Sequence, residues 1–115
     1  MIRRFNEQIT EDKCIRGGNG LTHMRKLLNG ADEMYAKGRM FNVMTLAPGN
    51  SIGEHTHEGD NEIFYFIRGE GEYTDNGKIC KVGSGDAAIC NSGDSHALKN
   101  TGTEDLEFIA LILYD

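Results

Sequence analysis

The chain has 115 residues, room for one domain with a single core and too few for two. It is 38% hydrophobic and 26% charged, an ordinary soluble balance, and its net charge of −6 argues against nucleic acid or an anionic membrane as partner. No apolar run approaches the ~20 residues of a membrane span, and no hydrophobic stretch follows Arg3 and Arg4 to make a secretory signal. Cys14, Cys80 and Cys90 form no CxxC pair and leave an odd thiol, so reduced thiols in a cytoplasmic protein are expected.

The first predicted elements are weak. "EDKCIRGGNGL" (11–21) reads as a loop. "GADEMYAKG" (30–38) is the one helical candidate, with Asp32 to start it and Gly38 to end it. Residues 1–38 are therefore expected to form an N-terminal extension of edge strand and loop carrying this short helix. Strand signals then follow in series. "RMFNVMTLAPG" (39–49) reads as a strand stopped by the turn pair Pro48-Gly49. In "NEIFYFIRGEG" (61–71), Ile63 to Ile67 are apolar on both faces, which predicts cover on both. "GEYTDNGKICKV" (71–82) holds Asn76-Gly77 between two strand-like arms, the signature of a tight hairpin. "GDAAICN", "HALKNTG" and the C-terminal "EDLEFIALILYD" complete the set, the last beginning one-sided and ending two-sided. Short strands at this spacing, with almost no helical period, predict an all-β sandwich or barrel over residues 39–115.

The chemistry concentrates in "GEHTHEGDNE" (53–62). Residues two apart on a strand share a face, so His55 and His57 point the same way, and one turn brings Glu62 to meet them. His96 lies 34 residues beyond Glu62, on another predicted strand. Three imidazoles and a carboxylate are a normal ligand set for a divalent transition metal. The competing reading is a solvated polar turn with a separate surface or half-buried histidine. The spacing of one His-x-His pair does not decide between them.

A longer pattern does. The stretch "GNSIGEHTHEGDNEIFYFIRG" has Gly49, five residues, His55-x-His57, four residues, Glu62, six residues and Gly69. The stretch "GDAAICNSGDSHALKN" has Gly85, then Gly93, His96 and Asn100. Together they resemble the two motifs of the cupin family, separated by fifteen residues as in single-domain microbial cupins. Asn91 stands where the second motif has proline, a change from one turn residue to another. The resemblance implies a double-stranded β-helix (jelly-roll) barrel, with His55, His57, Glu62 and His96 holding one metal ion per chain: iron, manganese, nickel or zinc. It implies structural roles for Gly49, Gly69, Gly85, Gly93 and Asn100.

By alternation, Phe64 and Phe66 share the Glu62 face, Leu98 shares the His96 face, and Met40 and Met44 alternate on the preceding strand. These five are candidates to line a cavity beside the metal, with ordinary barrel packing as the default. Arg39 and Arg68 sit at strand ends, where either could pair with a substrate carboxylate or simply stay solvated. His23 and Cys90 read as surface and core respectively. A small barrel leaves room for one modest ligand.

Among functions, the resemblance implies a metal enzyme first. Its substrate would be small and oxygen-bearing (a carboxylate, diketone or sugar), and its chemistry of dioxygenase, oxalate-decarboxylase-like, isomerase or lyase type. A decarboxylase would need a proton donor, for which Glu54 and Glu58 are the nearest candidates. A non-catalytic module that binds or senses metal and small molecule is the alternative. Exposed sheet edges and the two-sided apolar C-terminal strand predict a homodimer.

Overall fold

The computed structural model describes all 115 residues. Ten strands follow one another: β1 (Thr10–Lys13), β2 (Thr22–Leu28), β3 (Gly38–Leu46), β4 (Ser51–Thr56), β5 (Asp60–Arg68), β6 (Glu70–Asp75), β7 (Lys78–Gly83), β8 (Ala87–Cys90), β9 (Ser95–Asn100) and β10 (Leu106–Tyr114). They pair antiparallel into a six-stranded sheet, β1-β2-β3-β10-β5-β8, and a four-stranded sheet, β4-β9-β6-β7. The expected all-β jelly roll is therefore the observed architecture. No helix is long and apolar enough to cross a membrane.

Period-two alternation puts the large apolar side chains between the sheets. One row across the larger sheet is Met24–Met44–Phe108–Phe66, all buried. Phe66 and Phe108 are wholly buried with ring centroids 5.6 Å apart. Burying each contributes roughly 2–3 kcal/mol. The next row along the strands is Lys26–Asn42–Ala110–Phe64, and the next Met40–Ile112–Glu62–Cys90. The barrel interior thus grades from aromatic to polar toward one end. That end carries the site.

Local turn chemistry closes the strands where expected. Asn76 and Gly77 both take positive φ, 47° and 84°, and join β6 to β7 in a two-residue hairpin. Gly49, Gly69, Gly85 and Gly93 all have φ between 84° and 95°. At Gly69 a Cβ would also come within 2.5 Å of the Asp105 carbonyl, so only glycine fits this corner between β5 and β6. The Asn100 side chain is buried and donates through Nδ2 to the carbonyls of Leu46 and Glu104, while its Oδ1 accepts from the Gly102 N–H. It ties the end of β3 to the β9–β10 connection.

Three expectations are corrected. The helix over 30–38 is only a single 3₁₀ turn, Ala31–Met34, with Gly30 rather than Asp32 before it. Tyr35 and Ala36 then turn left-handed, at φ 55° and 56°, and Gly38 opens β3 instead of capping a helix. Nine residues are too few to offset helix nucleation, and burial of Met34 fixes the turn instead. The loop expected over 11–21 begins as strand, because β1 pairs along β2 despite having no buried residue. The outer face of β5 is not covered: Tyr65 is 48% and Ile67 38% exposed.

Candidate metal centre

A β-bulge aims the two histidines. Ile52 of β4 pairs with Leu98 of β9, but the next paired residue is His55, opposite His96. The extra residue between them reverses the alternation, so His55 and His57 turn inward where simple period two from buried Ile52 would turn them out. Gly53, inside the bulge, lets the loop after β1 approach closely. A Cβ there would collide with the Arg16 carbonyl, and the Gly53 N–H donates to Ile15 O at 3.1 Å. The same contacts pin the loop after β1 across the mouth of the barrel.

His55, His57, Glu62 and His96 converge, with one donor atom from each lying within 4.8 Å of the others. His96 Nε2 is 3.1 Å from His55 Nε2 and 3.2 Å from His57 Nε2. Glu62 Oε1 is 3.1 Å from Nε2 of both His57 and His96. Donors bound ~2.1 Å from a common ion sit roughly 3.0–3.4 Å from their neighbours, so these separations fit one metal ion.

The outward ring nitrogens decide what the inward ones offer. His55 Nδ1 lies 2.8 Å from Gly53 O, His57 Nδ1 2.7 Å from Asp60 Oδ1, and His96 Nδ1 2.9 Å from the Tyr73 hydroxyl. The carbonyl and the carboxylate are acceptors only, so His55 and His57 donate from Nδ1 and keep a lone pair on Nε2 for a metal. His96 can do the same toward Tyr73. The Phe64 ring stacks on His96 at 5.2 Å and fixes its plane. The four residues form a site able to bind one metal ion.

Charge follows the same logic. Burial pushes the Glu62 carboxyl up, but its contacts with His57 and His96 outweigh that and hold it below the usual carboxylate range. Glu62 in turn raises His57, against the opposing effect of burial and with help from Asp60. Desolvation lowers His55. Glu62 thus stays an anion and a ready ligand.

A cavity of about 330 Å³ opens onto the cluster and is lined by His55, His57 and Glu62. Of the five candidate lining residues, Met40 and Met44 face it, whereas Phe64, Phe66 and Leu98 pack in the buried core beneath. Arg39 lines it and braces Asp60 through Nε at 3.0 Å. Arg68, six residues beyond Glu62 on β5, instead faces Asp105 at 3.8 Å. Glu54 and Glu58 are exposed and do not line the cavity. His23 is exposed and paired with Asp12. Cys90 is core, opposite Glu62.

Sequence reasoning missed the far wall. Glu11, Lys13, Ile15, Arg16, Lys26 and Asn42 also line the cavity, five of them from the N-terminal 38 residues. In the short, exposed β1 no apolar alternation marks which face is inward. Asp60 and Tyr73 were missed as partners of the histidines. Asp60 carried one signal, its place three residues after His57 in a segment already singled out.

A family model for the cupin domain matches residues 42–112. The chain belongs to the cupin family. An oxalate-binding protein of Thermotoga maritima is 44% identical across 98% of this cupin and 93% of its own length. The crystal structure of a predicted oxalate decarboxylase from Thermotoga maritima covers the whole cupin at 43% identity with a TM-score of 0.94. The cupin domain of Cnp3 from Schizosaccharomyces pombe superposes with a TM-score of 0.73 at 13% identity, over 94% of this chain and 88% of that one, a likeness of fold alone.

Proposed function

We propose that this cupin holds one divalent transition metal through His55, His57, Glu62 and His96 and takes a small carboxylate beside it. Iron, manganese, nickel and zinc are the candidate metals. The observation that carries this reading is the charge on the cavity wall. Lys13, Arg16, Lys26 and Arg39 all line it, in a chain whose net charge is −6. Cations gathered in one cleft of an acidic protein concentrate an anion there. The relatives named for oxalate support a small diacid.

A bound metal would supply Lewis-acid polarisation of a carboxylate oxygen. The chain's own groups do the rest. Lys13, Arg16 and Lys26, which form no salt bridge, offset the ligand's charge, Arg39 being held by Asp60, and Met40, Met44, Ile52 and Ile112 give the cavity an apolar side. Glu11 is the lining carboxylate other than Glu62, and so the side chain placed to carry a proton if the ligand is turned over. Turnover, as a metal-dependent decarboxylase or oxygenase, is the first reading and non-catalytic capture the alternative.

One experiment separates them. Protein purified without chelator or histidine tag is analysed for metal, then given ¹³C-oxalate in air. About one metal per chain and new ¹³C signals of formate, carbon dioxide or bicarbonate mean an enzyme. Calorimetric binding with oxalate intact means capture. No metal after reconstitution, or no oxalate bound to the loaded protein, sinks the respective half of the proposal.

A homodimer in the cytoplasm completes the reading. Ile89, opposite Ile63 across β8 and β5, is 58% exposed and shares the outer face of the larger sheet with exposed Tyr65 and Ile67, and apolar surface of this kind favours a second copy. The three cysteines are free, in keeping with a reducing compartment. Light scattering that finds a monomer at micromolar concentration ends the dimer proposal.

A further inference from the structure

Two asparagines are buried in the barrel to nearly the same depth, Asn42 at 4% and Asn100 at 1% exposure. Asn100 makes three hydrogen bonds. The Asn42 side chain makes none within the chain, although buried amides are almost always paired. It is not sealed in the core as the unpartnered Thr22 hydroxyl is, since Asn42 lines the cavity. Its amide is aimed at whatever fills that space.

Its position is specific. Asn42 lies in the row Lys26–Asn42–Ala110–Phe64, one inward-facing step deeper than the row Met40–Ile112–Glu62. One such step is two residues, about 7 Å along a strand. On one side its cross-strand neighbour is Ala110, too short to reach the amide. On the other is Lys26, which also lines the cavity and forms no salt bridge. A neutral donor and an unpaired cation thus stand together, one step from the metal donors.

We propose that Asn42 is the second anchor of the ligand, its Nδ2 donating to the carboxylate at the end away from the metal while Lys26 offsets that carboxylate's charge. The inference rests on the carboxylate reading above and narrows it to small diacids. Neither group belongs to the two cupin motifs read in the sequence. Lys26 comes from β2, so the N-terminal strands help to choose the ligand.

The test compares wild type, N42L, N42A and K26M, each loaded with Mn(II) and gel-filtered, by calorimetric titration with oxalate and malonate. Loss of a hydrogen bond to a charged group predicts diacid binding weaker by about tenfold or more in N42L and N42A. Mn(II) affinity should stay within twofold, and the melting temperature of the metal-free protein should be unchanged or higher, because the amide has no partner to lose. K26M should also weaken binding and flatten its salt dependence. N42A only removes atoms, so a leucine that fails to fold leaves the test standing. Diacid binding unchanged in folded N42A overturns the inference alone. Wild-type protein that holds Mn(II) but binds neither diacid overturns the carboxylate reading and this inference with it.

Discussion

Asp60→Ala tests whether the arrangement behind the ligands matters as much as the ligands. Asp60 accepts from His57 Nδ1 at 2.7 Å, its side chain is only 11% exposed, and its other oxygen is held by Arg39. Without that carboxylate the His57 ring loses both its orientation and the partner that keeps the proton on Nδ1. Losing such an outer partner lowers metal affinity about 10–100-fold, or roughly 1.4–2.7 kcal/mol. Asp60→Asn keeps an oxygen that can accept from Nδ1 but drops the charge and turns an NH2 donor toward Arg39 Nε, so it should fall between wild type and alanine. Arg39→Met removes a brace whose side chain is 43% exposed and well screened, and should change affinity less than about threefold. The assay is competition for Zn(II) and Mn(II) between metal-free protein and a chelating dye, with circular dichroism to check folding. Folded D60A that binds metal within twofold of wild type would refute the reasoning.

Tyr73→Phe removes the hydroxyl 2.9 Å from His96 Nδ1 and should lower metal affinity by about tenfold in the same competition assay. Thr22→Val replaces a buried hydroxyl that has no partner with a methyl group of the same shape, and urea unfolding should show it stabilised by about 1 kcal/mol. Burial pushes the Cys90 thiol up to about 11. Native protein at neutral pH should therefore yield exposed Cys14 to a thiol reagent long before Cys90, which should react only on unfolding. The raised value also means that stability contributed by keeping this thiol neutral is complete below the unfolded pKa near 9 and lost as pH rises toward 11. Cys90→Ala should flatten that part of the stability profile, and an unchanged profile would count against it.

The fold was legible because its signals are local and repeated. Asn76-Gly77 can hardly be other than a tight hairpin, and the alternation through Leu106, Phe108, Ala110 and Ile112 marks a strand with one buried face. The failures also have local causes. "GADEMYAKG" has helical propensity but not the length to use it, so tertiary burial of Met34 decides its shape. β1 has no buried residue and is strand only because β2 offers it hydrogen bonds. The apolar outer face of β5 reads as a demand for cover that a single chain does not meet.

The candidate site divides along the same line, between groups that sit in a spaced motif and groups brought in by pairing across strands. His55, His57 and Glu62 lie within eight residues, and their convergence needs only a bulge and a turn. Tyr73 meets His96 because β6 lies beside β9, a pairing no spacing encodes. Asn42 and Lys26 are paired across β2 and β3, sixteen positions apart in a register set by a bulge in β2, so neither predicts the other. A metal motif can thus be read from sequence while the groups proposed to choose its ligand cannot, because the first is a property of a segment and the second of a sheet. The polar residue that pairing leaves buried beside the metal donors without a partner is Asn42. Specificity in this cupin should therefore change with β2 and β3 while the histidines and Glu62 stay the same.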